Sequence, residues 1–283
     1  MPSHRVSAFF LSLLAVASLA AQSPSYPSAI VDAQIPLVSS DGFSTPQGVA
    51  ASGGVVYVAD TGKQRILRFP YGGAQNTVSL GSFGPALQRP TGLALDGDGN
   101  LYVTDTDTNR LIKLRAPVGT LSGLTIMGSG VLDRPTAVAS DAAGNLAVIN
   151  SGNGTIVARR AGGTPFVFAT GATVLVAPTA ISFDNLGNLY VADAGNGGAA
   201  SAIYRFPKLG GTGVNLAPAG YDLKNITGLA LDNARNLFVL DGGSRQLIEV
   251  PANGSSAFLV PQSNFVTPDG LAIDNIGNLY VKI

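Results

Sequence analysis

The chain has no cysteine, and its 283 residues include a single histidine, His4, and a single glutamate, Glu249. Each shortage closes off some chemistry. Without cysteine there is neither a disulfide scaffold nor a lipid-anchored N-terminal cysteine, although a chain of this length can bury a core without covalent staples, so export is not excluded. With its one histidine in a segment read below as a leader, the rest of the chain has no means to build a Ser-His-Asp triad, a Cys-His pair or a histidine-ligated zinc or copper site. A lone glutamate in a strand-like run leaves no calcium loop of EF-hand form with its distant bidentate ligand. Charge is scarce too: charged residues make up 12%, and 17 Lys and Arg are balanced by 17 Asp and Glu. A concentrated basic surface for nucleic acid is therefore not expected. Beyond the first twenty residues no apolar run reaches the length of a transmembrane helix.

What is present begins with Arg5, which is followed by an apolar to weakly polar run over residues 6–20. The form is that of a secretory signal peptide, with small residues at Ser18 and Ala20 suited to cleavage after Ala20. The run is short for a membrane anchor. Residues 1–20 are read as the signal peptide, 21–28 as a Ser- and Pro-rich connector and 29–283 as one domain. The expected location is extracellular or periplasmic.

That domain is one pattern written six times. Residues 90–110, PTGLALDGDGNLYVTDTDTNR, hold two short apolar runs separated by Asp96-Gly97-Asp98-Gly99-Asn100, which reads as a β-hairpin. Related stretches begin at Pro46, Pro135, Pro178, Ile226 and Pro268, so that successive copies start 42 to 48 residues apart. Strand-rich repeats of this period build β-propellers, four strands to a blade. The first strand of each copy is almost wholly small or apolar, as expected where it packs between blades near the axis. The third, as at 66–69, 111–114 and 247–250, alternates apolar residues with Arg68, Lys113 and Glu249, which places one face toward water. Asp-x-x-Gly-Asn between the first two strands is a turn, because Asp accepts backbone N–H groups while Gly and Asn tolerate positive φ. Asp96, Asp141, Asp184, Asp232 and Asp274 occupy that turn, and Asp60, Asp105, Asp193 and Asp241 end the second strand. A residue that recurs in copy after copy serves what every copy needs, so these carboxylates are read as structural.

The pattern Pro-x-Gly-Leu-Ala-Leu-Asp-x-x-Gly-Asn-Leu-Tyr-Val-Ala-Asp-x-x-Asn-x-Arg-Ile resembles the NHL repeat. Asp105, Asn109, Arg110 and Leu111 carry its later half in the second copy, and Asp60, Arg65 and Ile66 in the first. The resemblance implies an all-β, six-bladed propeller of four-stranded antiparallel blades. It implies no single activity, since NHL-like propellers include amidating lyases, RNA-binding modules, sensor domains and adhesion modules. The histidines that hold the metal of the amidating lyases have no counterpart here. Neither does the glutamate of the gluconolactonase-like metal site, because Glu249 falls in an exposed third-strand pattern. The copies also drift: Asn150 stands where others have Asp, Ala147 where others have an aromatic, and residues 197–201 are inserted in the fourth. The sixth reaches Ile283 where its Asp would stand, so the last blade is expected to be incomplete or closed by the N-terminal segment 33–39 as its outer strand.

In a four-stranded meander the start of strand one and the loop between strands two and three share one end of every blade. That end carries Arg89, Arg134 and Lys224 before strand one, and Arg65, Asn109, Arg110 and Arg245 between strands two and three. Propellers gather such loops around one funnel, so these seven residues form the expected binding face, suited to an anionic or hydroxyl-rich partner. No catalytic residue or metal ligand is expected, and calcium at Asp96-x-Asp98-x-Asn100 is the one cofactor the oxygens could serve. The expectation is a monomeric, exported, non-catalytic propeller that binds a protein, peptide or glycan, including a partner of the cell envelope. The alternative is a gluconolactonase-like or lyase-type metal-dependent enzyme with oxygen-only ligands in the central channel.

Overall fold

A computed structural model describes residues 11–16, 31–37, 42–70, 76–77, 86–116, 123–168, 170–171, 173–195, 201–208, 210–216, 218, 220–260, 265–275 and 277–282. Residues 1–10 and 17–30, which include the expected cleavage site and connector, and 196–200, most of the fourth-copy insertion, lie outside them. An N-terminal hairpin pairs β1 (Leu11–Val16) with β2 (Val31–Leu37). Blade one follows as β3 (Pro46–Ser52), β4 (Val55–Asp60), β5 (Arg65–Pro70) and β6 (Asn76–Thr77). Blade two is β7 (Pro90–Leu95), β8 (Leu101–Asp105), β9 (Arg110–Leu114) and β10 (Gly123–Met127). Blade three is β11 (Pro135–Ser140), β12 (Leu146–Asn150), β13 (Thr155–Arg159) and β14 (Pro165–Val167). Blade four is β15 (Pro178–Phe183), β16 (Leu189–Asp193), β17 (Ala202–Phe206) and β18 (Val214–Asn215). Blade five is β19 (Ile226–Leu231), β20 (Leu237–Asp241), β21 (Gln246–Val250) and β22 (Phe258–Leu259). Among the described residues the sixth copy supplies β23 (Leu271–Ile273) and β24 (Leu279–Val281).

All these sheets are antiparallel meanders, so the structure is a β-propeller of four-stranded blades. The expected count of six blades is corrected to five four-stranded blades, because among the described residues the sixth copy contributes a two-stranded hairpin. That hairpin still fills the ring, with β23 lying between β19 and β3. The N-terminal segment was expected to serve the last blade as an outer strand. Its β2 pairs with β1, and β1 lies alongside β24, although the two hairpins remain separate sheets.

The core is divided among the seams. Six apolar clusters each join two neighbouring units, for example Ile66 with Val103 and Ile112, Phe206 with Ile149 and Phe168, and Tyr280 with Val58 and Leu67. The second strand of each complete blade is buried almost throughout, as Leu101, Tyr102 and Val103 show. Inner strands approach most closely where strand one carries glycine: a Cβ on Gly92 would stand 2.8 Å from Cα of Ala137, and one on Gly228 2.6 Å from Cβ of Leu271, whereas the third and fourth copies accommodate Ala137 and Ala180 there.

Polar side chains fasten these layers. Asp96 accepts the backbone N–H groups of Asp98 and Asn100, the Asn100 amide and the Tyr102 hydroxyl. The same Asp-to-Asn turn recurs with Asp141, Asp184, Asp232 and Asp274. A second set of bonds crosses the seams to the carbonyl that begins the next inner strand: Thr61 to Pro90, Thr106 to Pro135, Thr179 to Ile226 and Thr227 to Pro268. At the closing seam Lys282 Nζ takes over this role and donates to the Pro46 carbonyl at 2.8 Å. Among the described residues no helix is long and apolar enough to cross a membrane.

Candidate binding face at the channel mouth

The second residue of each copy marks the mouth of the central channel. Gln47, Thr91, Thr136, Thr179, Thr227 and Asp269 surround a cavity of about 300 Å³, with Arg89 at its edge. Beneath them the third residues, among them Gly48, Gly92, Gly228 and Gly270, keep the walls thin. The opposite end of the channel is a second space of about 220 Å³, walled by apolar residues and by Ser140 and Ser182.

The hydroxyls at the mouth are oriented by the scaffold. Thr91 Oγ1 lies 2.9 Å from Thr104 Oγ1 and 2.8 Å from Thr106 Oγ1, and Thr104 also receives the Gly92 N–H at 2.7 Å. Thr179 and Thr227 spend their protons on the seam carbonyls named above, so their oxygens face the channel as acceptors. Among the described residues lining the mouth Asp269 is the one carboxylate, and Lys282 Nζ sits 2.6 Å from its Oδ2. Among the described residues no three His, Cys, Asp or Glu side chains come together as a metal-binding group. The mouth can offer hydroxyls, thin backbone walls and one ion-paired carboxylate.

The seven residues expected from the sequence at this end separate into two groups. Arg65 and Arg110 fasten their own blades. Arg110 is 6% exposed, with Nε and Nη2 on Asp105 Oδ2 and Nη2 also on the Ala86 carbonyl. Arg65 Nε bonds Asp60 Oδ2 at 2.8 Å, and Nη2 bonds the Gly42 carbonyl. Those aspartates in turn accept N–H groups from the loop before strand one, from Ser44 in blade one and from Gln88 and Arg89 in blade two. Asn109 is also a scaffold residue, but across a seam: at φ 52° it ends a short 3-10 turn of blade two, and its Oδ1 accepts the N–H of Arg134, before blade three, at 2.7 Å.

The other group stands on the rim. Arg89 is 41% exposed and lies 3.8 Å from Asp107. Lys224 is 2.8 Å from Asp222, whose hydrogen bond and charge raise its pKa. Arg134 and Arg245 occupy left-handed backbone positions at φ 48° and 59°. Beside Lys224, burial pushes the Asp241 carboxyl up, but N–H groups of Lys224 and Asn225 and the Ser244 hydroxyl outweigh it and leave its pKa lowered.

Glu249 requires a correction. It was expected on a water-facing strand, yet it is 6% exposed on β21, between Phe238 and Phe258 on the flanking strands. Burial, with the nearby Asp232 charge, raises its pKa to about 7. It lies away from the channel mouth and contributes no ligand there. Sequence reasoning named the loop cations but not Gln47, Asp269 and Lys282. The signal for the first two was their shared second position in the repeat, and for Lys282 there was none, since its place is otherwise taken by Ala59, Thr104, Ile149, Ala192 and Leu240.

Comparisons with known proteins agree with this architecture. The chain matches the NHL repeat at residues 43–69 and 87–114, which are blades one and two through their third strands. No curated protein is similar enough in sequence to match. Among solved structures, a catalytically inactive histidine-to-alanine variant of virginiamycin B lyase from Staphylococcus aureus with quinupristin superposes with a TM-score of 0.64 at 14% identity, covering 88% of this chain and 82% of that one. A nidogen/laminin complex contains a chain with a TM-score of 0.63 at 21% identity, covering 77% and 81%. A gluconolactonase from Xanthomonas campestris gives 0.62 at 14% identity, covering 84% and 86%. At such identities the likeness is one of fold.

Proposed function

We propose that this NHL-repeat propeller is an exported binding module that holds a peptide or glycan partner at the channel mouth without acting on it chemically. The observation that carries the reading is the composition of the mouth, where hydroxyls, glycine backbone and a single lysine-paired carboxylate converge. Hydroxyl acceptors beside Arg89, Arg134, Lys224 and Arg245 suit a partner rich in hydroxyl or anionic groups. The nidogen/laminin neighbour is a propeller found in a protein complex. Export rests on the leader-like run over residues 6–20, and the described fold adds nothing to it.

Two of the structural neighbours are enzymes, so the alternative is a lyase or a lactonase. The lyase named above is inactive once a histidine becomes alanine, whereas the single histidine of this chain is His4. A lactonase using oxygen ligands alone would need several carboxylates at the channel, and among the described residues Asp269 is the one that lines the mouth.

A glycan and peptide array probed with wild type and with the quadruple variant Arg89→Ser, Arg134→Ser, Lys224→Ser and Arg245→Ser tests the proposal. Saturable binding that weakens about tenfold or more in the variant is expected, at nearly unchanged melting temperature, since rim charges add little stability. Lactone hydrolysis that depends on added calcium and survives the four substitutions would replace the binding reading with the enzymatic one.

A further inference from the structure

A further cavity, of about 210 Å³, opens between blades three and four at the end of the propeller opposite the channel mouth. Its walls include Phe166, Phe168 and Phe183. Phe168 is buried and meets Phe206 edge-on, with ring centroids 5.9 Å apart, so this part of the wall is fixed by the core. Phe166 is 43% exposed, an aromatic face that the fold leaves at the opening.

Two exposed cations share the wall with these rings, and a third, the half-buried Arg159, has its Nε on the Gly163 carbonyl at 2.8 Å. Arg160 and Lys208 line the cavity, and neither side chain has a hydrogen-bond or ion-pair partner among the described residues. Lys208 reaches it across Gly187, where a Cβ would lie 3.0 Å from Cδ of the lysine. Gly187 has φ +83°, so both its backbone and its lack of a side chain suit this crossing. Asp141 is the carboxylate in the wall. It is held in its own turn by the N–H groups of Ala143 and Asn145 and by the Asn145 amide.

An aromatic lining in one wall with unpaired cations selects a ligand with a flat apolar body and an anionic end. The size agrees: a cavity of about 150 Å³ holds benzene, which leaves space here for a short carboxylate arm. We propose that this cavity binds a small aryl carboxylate, its ring against Phe166 and Phe168 and its carboxylate between Arg160 and Lys208. The site stands apart from the binding face at the channel mouth and does not depend on it.

The test titrates the full chain with 3-phenylpropionate, 3-phenylpropionamide and butyrate, following amide chemical shifts or heat. The acid should saturate and bind about tenfold or more tightly than either the uncharged amide or the ringless acid. Arg160→Gln with Lys208→Met should remove that margin over the amide while leaving amide binding and melting temperature unchanged. Phe166→Ala should weaken the acid and the amide alike. Equal affinity for acid and amide, a margin that survives the double substitution, or no saturation by the acid up to about 10 mM would overturn the proposal. None of these results bears on the channel mouth, whose rim variant serves as the unaffected control.

Discussion

Glu249 and Lys113 hold equivalent places on their third strands and have opposite environments. Lys113 lies 3.6 Å from Asp96 and 5.2 Å from the centre of the Tyr102 ring, a cation against a carboxylate and an aromatic face. In blade five the same arrangement sets a carboxylate near Asp232, with Phe238 where the tyrosine would be. The raised pKa of Glu249 means that the folded chain binds its proton more tightly than the unfolded chain does. Its contribution is therefore greatest below the unfolded value of 4.5 and is lost as pH rises through about 7. Glu249→Gln should flatten the decline in melting temperature between pH 5 and pH 8 and raise it by a few degrees at pH 8, as read by calorimetry at both ends of the range. An unchanged slope would show that the carboxyl is already solvated. Arg110 and Arg134 give a second residue-scale contrast. Arg110→Ser strands the buried Asp105 carboxylate and should cost about 2 to 4 kcal/mol, whereas Arg134→Ser, on the rim, should stay within about 0.5 kcal/mol in denaturant melts. These two arginines looked alike in the repeat, because sequence shows a cation in a loop but not whether an aspartate from the same blade has claimed it.

At the scale of the hairpin, the Asp-to-Asn turn can be graded copy by copy. In blade two Asp96 receives Asn100, Tyr102 and Lys113 together, and although burial pushes its carboxyl up, the bonds from Asn100 and Tyr102 prevail and lower the pKa. In blade three the tyrosine is replaced by Ala147 and the lysine by Ala158, so Asp141 keeps its turn and loses the rest. Asp96→Ala should therefore destabilise by about 2 to 4 kcal/mol and Asp141→Ala by about 1, measured by chemical denaturation. Comparable losses would mean that the tyrosine and lysine contribute nothing beyond the turn. Both turns were legible from Asp, Gly and Asn at fixed spacing, since local N–H acceptance and positive φ are properties of a few adjacent residues. Burial of the third strand was not legible in the same way, because an alternating pattern reports two faces and does not report that neighbouring strands and blades cover both.

For the whole molecule the weak point is the seam between the sixth hairpin and blade one. It is held by the apolar contacts of Ala272 and Tyr280 with Val49 and Val58, by Gly53 N–H on Asn275, and by Lys282. Lys282→Met should leave the Pro46 carbonyl and Asp269 without their donor, and hydrogen exchange should quicken in β3, β23 and β24 while blades two to four hold their protection. Uniform protection would mean that the apolar contacts close the ring unaided. Cleavage after Ala20, checked by mass spectrometry of secreted protein, would also remove β1 from beside β24 and place more of the closure on this lysine. What the sequence by itself determined is everything that repeats: the strand order within a blade, the hairpin turns, the small residues near the axis and the propeller they add up to. Periodicity carries that information because each copy solves the same local problem. The tertiary structure alone decided what depends on a neighbour: that five units are complete and the sixth is a hairpin, that Arg65 and Arg110 are fastened while Arg89 and Lys224 stand on the rim, and that Glu249 lies buried. It also brought the three phenylalanines into one cavity wall with Arg160 and Lys208. Those outcomes depend on which blade packs against which, and contacts between distant segments leave no period in the chain.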